Sequence, residues 1–161
     1  MMGKKMKTTF LIIFAALIVV AGYSVFIKEE GAERLFANPQ GGYQFNIPSG
    51  WKVAINQYNA KNSLFGPDAT DAAGLGGIEI FPGQTSISAF MNGVSAKYSA
   101  TSSATIDGAS GLRAQYTSFP MSGTEIVFIK DGALYNIYIN SKNPADLAAF
   151  DAIVASFRFI R

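Results

Sequence analysis

From residue 8 to residue 27 the chain carries no charged side chain, and this run of 20 limits what its first part can become. Wound as an α-helix, Thr-Thr-Phe-Leu-Ile-Ile-Phe-Ala-Ala-Leu-Ile-Val-Val-Ala-Gly-Tyr-Ser-Val-Phe-Ile is about 30 Å long, the thickness of a bilayer's hydrocarbon core. An apolar circumference without a polar stripe does not suit the surface of a water-soluble domain. Lys4, Lys5 and Lys7 precede the run, and residues 1–27 hold no acid. The positive-inside rule therefore keeps residues 1–7 cytoplasmic and sends the rest across the membrane. The rival reading is a cleavable signal peptide, with Val20-Ala21-Gly22 as a small-residue cleavage site. The apolar run continues past that site through Val25-Phe26-Ile27, which favours an uncleaved signal-anchor and a single-pass cell-membrane protein. Cleavage would make the same domain a secreted one. A pilin-like leader is excluded, because Lys4-Lys5-Met6-Lys7-Thr8 follows Gly3 where a hydrophobic stretch with a glutamate is needed.

Residues 28–41 mix charges with Gly31, Pro39 and Gly41 and show little periodicity, as a juxtamembrane linker does. Residues 42–161 then form one domain of about 120 residues, enough to bury a self-sufficient core. Charge separates along the same boundaries. The net charge of +2 arises at the N-terminus, since the chain from Asn38 onward holds eight basic and eight acidic residues. A neutral domain lacks the footprint that phosphate-backbone binding needs, so nucleic acid is disfavoured as a partner. The chain has no cysteine and no histidine. Disulfides, thiol nucleophiles, the usual general base and the commonest metal ligand are thereby excluded.

The domain opens on Tyr43-Gln44-Phe45-Asn46-Ile47-Pro48-Ser49-Gly50-Trp51. Apolar residues alternate with polar ones as on a half-buried strand, Pro-Ser-Gly turns the chain, and residues 51–55 restart the alternation. Further strands are expected at 63–65, 77–81, 104–106, 112–119, 124–130 and 133–139. The strand at 124–130 has apolar residues on both faces, which suits a central position. Asp131-Gly132 predicts a tight hairpin. Ile87, Phe90, Met91, Val94 and Tyr98 fall on one helical face behind a Thr85 or Ser86 cap, and residues 99–103 read as a polar connection. The last helix is capped by Asn143, begins at Pro144, sets Asp146 against its positive end, and buries Leu147, Phe150, Ile153, Val154 and Phe157. The order strands, helix, strands, helix indicates an α+β fold: a twisted, mainly antiparallel sheet flanked by helices.

The opening Tyr43-x-Phe45-x-Ile47-Pro48-x-Gly50-Trp51, the middle helix, the Asp131-Gly132 hairpin and the closing Ser156-Phe157-Arg158-Phe159 together resemble PsbP/Mog1-like domains over about residues 42–160. The resemblance implies an α/β/α sandwich around an antiparallel sheet, and non-enzymatic roles. Plant members of that family are extrinsic lumenal subunits of photosystem II, a nuclear member binds a small GTPase, and many bacterial members are exported. No functional residue carries over, since metal-binding histidines proposed for plant members have no counterpart here.

Chemistry candidates are few. Ser110, in Gly108-Ala109-Ser110-Gly111, misses the nucleophile-elbow spacing and has no histidine to activate it, so it reads as a turn serine. Asp68 and Asp71 lie in a glycine-rich loop at 66–77. Two carboxylates fall short of the six to eight oxygens calcium takes, and solvated loop acids is the better reading. A pair among Asp68, Asp71, Glu79 and Asp107 has the residue types for glycoside hydrolysis, though with eight acids in a charge-balanced domain surface solubility is the ordinary explanation. Gly74-Leu75-Gly76-Gly77 lacks the lysine and helix of a phosphate loop. Tyr116, Phe119, Tyr135 and Tyr138 have the composition of a ligand surface, but alternating strand aromatics are more often core. No cofactor is indicated. Two functions are compatible with these residues. One is a membrane-tethered, extracytoplasmic binding or assembly module for a protein partner, acting through a sheet face or the loop bearing Asp68, Asp71 and Leu75. The other is an extracytoplasmic carboxylate-based hydrolase.

Overall fold

The computed structural model describes residues 34–118 and 120–160. The apolar run at 8–27 and Phe119 lie outside the described residues. No helix among the described residues is long and apolar enough to cross a membrane.

Ten strands and two helices follow one another: β1 (Arg34–Asn38), β2 (Tyr43–Ile47), β3 (Lys52–Ile55), β4 (Ser63–Gly66), β5 (Gly76–Pro82), α1 (Ile87–Gly93), β6 (Lys97–Ile106), β7 (Ala109–Ser118), β8 (Met121–Lys130), β9 (Ala133–Ile139), α2 (Pro144–Ser156) and β10 (Arg158–Phe159). They build two antiparallel sheets. One has seven strands in the order β3-β4-β5-β9-β8-β7-β6, the other three in the order β1-β2-β10. The fold is α+β, as the periodicities indicate.

The seven-stranded sheet has an inner and an outer face. Ile78, Ile80, Ile126, Phe128, Tyr135, Ile137 and Ile139 point inward, where they meet Phe36, Tyr43, Phe45 and Ile47 of the small sheet and Phe150, Ile153 and Phe157 from the α2 end. On the outer face Phe81 meets Phe90 of α1 with ring centroids 5.1 Å apart. Helix, sheet and helix therefore stack in that order. Arg113 of β7 reaches α2 as well, pairing with Asp151 at 2.6 Å and lying 5.7 Å from the Phe150 ring centroid.

The opening and closing stretches of the domain touch. β10 pairs with β2, and the fully buried Phe157 stacks on Tyr43 at 5.5 Å. Asn143 caps α2 by accepting from Ala145 N–H at 2.9 Å, and Asp146 in the first turn accepts from the Ser141 hydroxyl at 2.7 Å. In the β8–β9 hairpin Asp131 and Gly132 have φ of 50° and 76°, the positive pair that a two-residue turn of this hand requires.

Three segments differ from the expectation drawn from sequence. Residues 34–38, read as linker, form β1 on β2, with Phe36 and Asn38 buried. Their charged neighbours mask a five-residue strand whose alternation is too short to stand out. The middle helix ends at Gly93, and Tyr98 belongs to β6. Every residue of α1 remains at least partly exposed, so tertiary packing on its stripe is too weak to carry the helix another turn. Residues 99–103 are strand, not connection. β6 is an edge strand, mostly exposed, where small polar residues are compatible with pairing on one side only. Its register with β7 shifts between Ser99 and Thr101, around Ala100 at φ 51°.

One buried side chain joins the sheets. Asn38 Nδ2 lies 3.0 Å from the Ala60 carbonyl and 3.2 Å from the Lys61 carbonyl, both in the connection from β3 to β4. The hydroxyls of Tyr43 and Ser63 are each 3.3 Å away, and Asn38 Oδ1 accepts from Gly41 N–H at 2.9 Å. The Tyr43 hydroxyl donates to Ser63 Oγ at 2.6 Å, and burial pushes its pKa up to about 12. Removing the amide orphans several buried groups at once. Asn38→Ala is expected to lower unfolding free energy by about 2–4 kcal/mol in urea titration with little change in slope.

Candidate functional site

Strand register assigns the outer face residue by residue. β5 contributes Gly77, Glu79 and Phe81, paired with Tyr138, Asn136 and Leu134 of β9. β8 contributes Glu125, Val127 and Ile129, paired with the same Tyr138, Asn136 and Leu134. β7 adds Ala114 opposite Glu125 and Tyr116 opposite Gly123, and β6 adds Tyr98 opposite Tyr116. Two glutamates, one asparagine and three tyrosines thus gather in the middle of this face.

Small residues let strands and side chains approach closely here. A Cβ on Gly77 would stand 3.0 Å from the Tyr138 hydroxyl, and one on Gly123 would stand 1.7 Å from the Ile139 carbonyl oxygen. Neither position admits a side chain without rearrangement. Glu125 and Asn136 are 5% and 6% exposed, and Tyr116 is also buried. Glu79, Tyr98 and Tyr138 are half-buried and form the accessible rim.

Hydrogen bonding in the cluster is incomplete. Glu125 Oε2 accepts from Asn136 Nδ2 at 3.3 Å, and the Tyr116 hydroxyl donates to Asn140 Oδ1. Glu125 Oε1 and Asn136 Oδ1 are buried and take no hydrogen bond. Burial raises the pKa of Glu125, opposed by hydrogen bonding from Tyr98 and Asn136 and reinforced by the charge of Glu79. Burial raises Glu79 too. It pushes Tyr138 up to about 12, with Glu79 adding to the shift, and raises Tyr98 and Tyr116 further, with Glu125 adding to both.

The residues singled out from sequence are scattered. Asp68 and Asp71 are exposed in the loop between β4 and β5, while Leu75 packs partly against the core. The loop is tied down by backbone: Gln57 N–H donates to the Asp71 carbonyl at 2.9 Å, and Asn140 N–H to the Leu75 carbonyl at 2.8 Å. Asn140 therefore bonds both the Leu75 end of the loop and Tyr116 of the outer face. Asp107 sits in the β6–β7 turn, where its Oδ2 accepts from Phe159 N–H at 2.9 Å. Strand order separates that turn from Glu79 by about 19 Å of sheet, so the two do not share a cleft. Tyr135 turns inward and stacks on Phe128 at 5.3 Å, as core, while Tyr116 and Tyr138 face out. Ser110 is an exposed strand residue. Among the described residues no group of three or more Asp or Glu is placed to hold a metal ion.

Glu125 was missed by sequence reading, although a signal existed. The two-residue turn at Asp131-Gly132 fixes the hairpin register, which sets Glu125 opposite Tyr138 and two pairs from Asn136, on the same face. A lone acid in an otherwise apolar central strand, facing an asparagine and a tyrosine, marks a buried polar cluster.

No family model and no curated protein matches the chain. Among solved structures it is similar to the solution structure of cyanobacterial PsbP (CyanoP) from Synechocystis sp. PCC 6803. Identity is 14%, the alignment covers 84% of this chain and 99% of that one, and the TM-score is 0.49.

The raised carboxylate makes stability depend on pH. The folded protein holds the Glu125 proton more tightly than the unfolded chain, whose value stays near 4.5. This contribution is complete below about pH 4.5 and is lost as pH rises through the folded value. Glu125→Gln is expected to flatten that decline and to be more stable than the parent at about pH 8, measured by urea denaturation at several pH values. A parent whose stability climbs across this window, with the variant less stable, contradicts the assignment.

Proposed function

We propose that this chain is a non-enzymatic binding or assembly module, similar to PsbP-like proteins, held on the outer side of a cytoplasmic membrane by residues 8–27. It engages a protein partner through the outer face of the seven-stranded sheet, beside the loop bearing Asp68, Asp71 and Leu75. The observation that carries this reading is the half-open cluster of Glu79, Glu125, Asn136 and three tyrosines. A sheet face needed only for stability would bury apolar residues there, because unpaired buried polar groups cost free energy. Polar groups kept at such cost point to recognition.

One observation favours the hydrolase reading. Burial raises the pKa of both Glu79 and Glu125, and the charge of Glu79 adds to the shift at Glu125. Glycoside hydrolysis, however, needs two carboxylates in unlike states, one protonated and one ionised, across a cleft. Here burial drives both in the same direction, with β9 between them. Binding is the better account.

The test uses the full chain inserted in its membrane. A photo-cross-linking residue at position 98 is expected to capture a discrete partner, whereas one at Tyr58, 85% exposed on the β3–β4 connection, is not. N-terminal sequencing of the membrane-bound form should begin ahead of residue 8. Absence of an adduct at position 98, or a mature start near Gly22, removes the partner face or the tether respectively. Alanine at Asp68, Asp71 and Asp107 together is expected to leave cross-linking at position 98 within about twofold of the parent. Hydrolysis of a glycan by the parent that Glu79→Ala loses would restore the enzyme reading.

A further inference from the structure

From β5 to β6 the outer face holds two glutamates and no cation to balance them; the lysine on this face, Lys52, lies on the far edge strand β3. From β5 through β6, its residues are Gly77, Glu79 and Phe81, then Leu134, Asn136 and Tyr138, then Met121, Gly123, Glu125, Val127 and Ile129. β7 and β6 complete it with Ser110, Leu112, Ala114, Tyr116, Ser118, Tyr98, Thr101, Ser103 and Thr105. None is Lys or Arg. Residues 83–96, which include α1 on this face, contain no charged residue either. The basic side chains of these strands, Lys97, Arg113 and Lys130, lie on the other face, where Arg113 pairs with Asp151 and Lys130 approaches Asp131 and the Phe159 ring.

The two acceptors without partners, Glu125 Oε1 and Asn136 Oδ1, are buried side by side in this cation-free region. An ionised Glu125 turns the Asn136 amide nitrogen toward itself, which leaves Asn136 Oδ1 as a second acceptor. Two buried acceptors call for a donor. Tyr138 pairs directly with Glu125, Ala114 lies opposite Glu125 on β7, and Tyr116 and Tyr98 follow on the neighbouring strands of the same face. By contrast, the open groove bordered by Gln115, Thr124, Lys142 and Leu147 on the other side of the sheet has no unpartnered buried polar atom among its lining residues.

We propose that Glu125, Asn136 and the half-exposed Glu79, walled by Tyr98 and Tyr138, form a binding site for a primary ammonium group. The three N–H donors of an ammonium match three oxygen acceptors, and aromatic rings favour a cation over their faces. A divalent metal is a poor occupant, since calcium takes six to eight oxygens and magnesium an octahedron. A lysine of a partner protein and a free alkylamine both carry the required group. The inference deepens the binding-face reading and rests on it.

The test follows the Glu125 carboxyl carbon and the Tyr138 amide by NMR in the full chain in detergent micelles. Butylammonium chloride and the blocked peptide acetyl-Gly-Lys-Gly-amide are each titrated in. Saturable shifts at both nuclei, absent with sodium chloride at the same ionic strength, are expected. Glu125→Gln should weaken binding by about tenfold or more, read at Tyr138, because a charged hydrogen bond is lost. Glu79→Gln should weaken it less. Tighter binding of the peptide assigns the group to a protein lysine, and tighter binding of butylammonium assigns it to a small amine. Either outcome supports the site. No saturable shift with either probe, an equal response to sodium chloride, or undiminished binding in a folded Glu125→Gln protein overturns it. A partner still captured at position 98 when neither probe binds leaves the binding face standing and removes only the ammonium site.

Discussion

Asn38 is contacted by backbone and hydroxyl groups from both sheets, and the relative placement of the two sheets depends on that amide. Apolar contact between sheets is non-directional and tolerates sliding; an amide bonded on both sides does not. With Asn38 fixed against residues 60, 61 and 63, Tyr43 must lie under β4, and its ring then meets Phe157. Phe157 in turn lies against Phe128 and Phe159. An aromatic core running from the first hairpin to the last strand thus takes its alignment from one polar residue.

Much of this architecture could be read from the chain. Strong turn chemistry and long periodic runs located β5, β7, β8, β9 and α2, because glycine after aspartate and proline after asparagine restrict the backbone locally. Segments whose structure depends on distant partners were illegible. β1 is held by β2 and by the Asn38 amide, neither visible in residues 34–38 themselves. β6 is mostly Ser, Thr and Ala, whose own preferences are weak, and is a strand because β7 offers it an edge.

The candidate site was less legible than the fold. Asp68, Asp71 and Leu75 attracted notice because acids in a glycine-rich loop are conspicuous. Glu125 is surrounded in sequence by Thr, Ile, Val and Phe, and its meaning emerges only when the hairpin register is carried inward from Asp131-Gly132. Tyr116 and Tyr138 differ from Tyr135 by parity alone: a shift of one residue along a strand moves a ring from core to outer face.

The irregularity at Ala100 bears on how such molecules behave when crowded. β6 ends its sheet with ten residues of mostly small, uncharged side chains and an open row of backbone donors and acceptors. A straight edge of that length and composition is a template on which a second chain can add a strand. The left-handed turn at Ala100 divides it into two short runs that do not continue each other's spacing. An incoming strand can follow one run or the other but not both. The break therefore shortens the ladder that two molecules meeting edge to edge can form, which works against the growth of a continuous sheet.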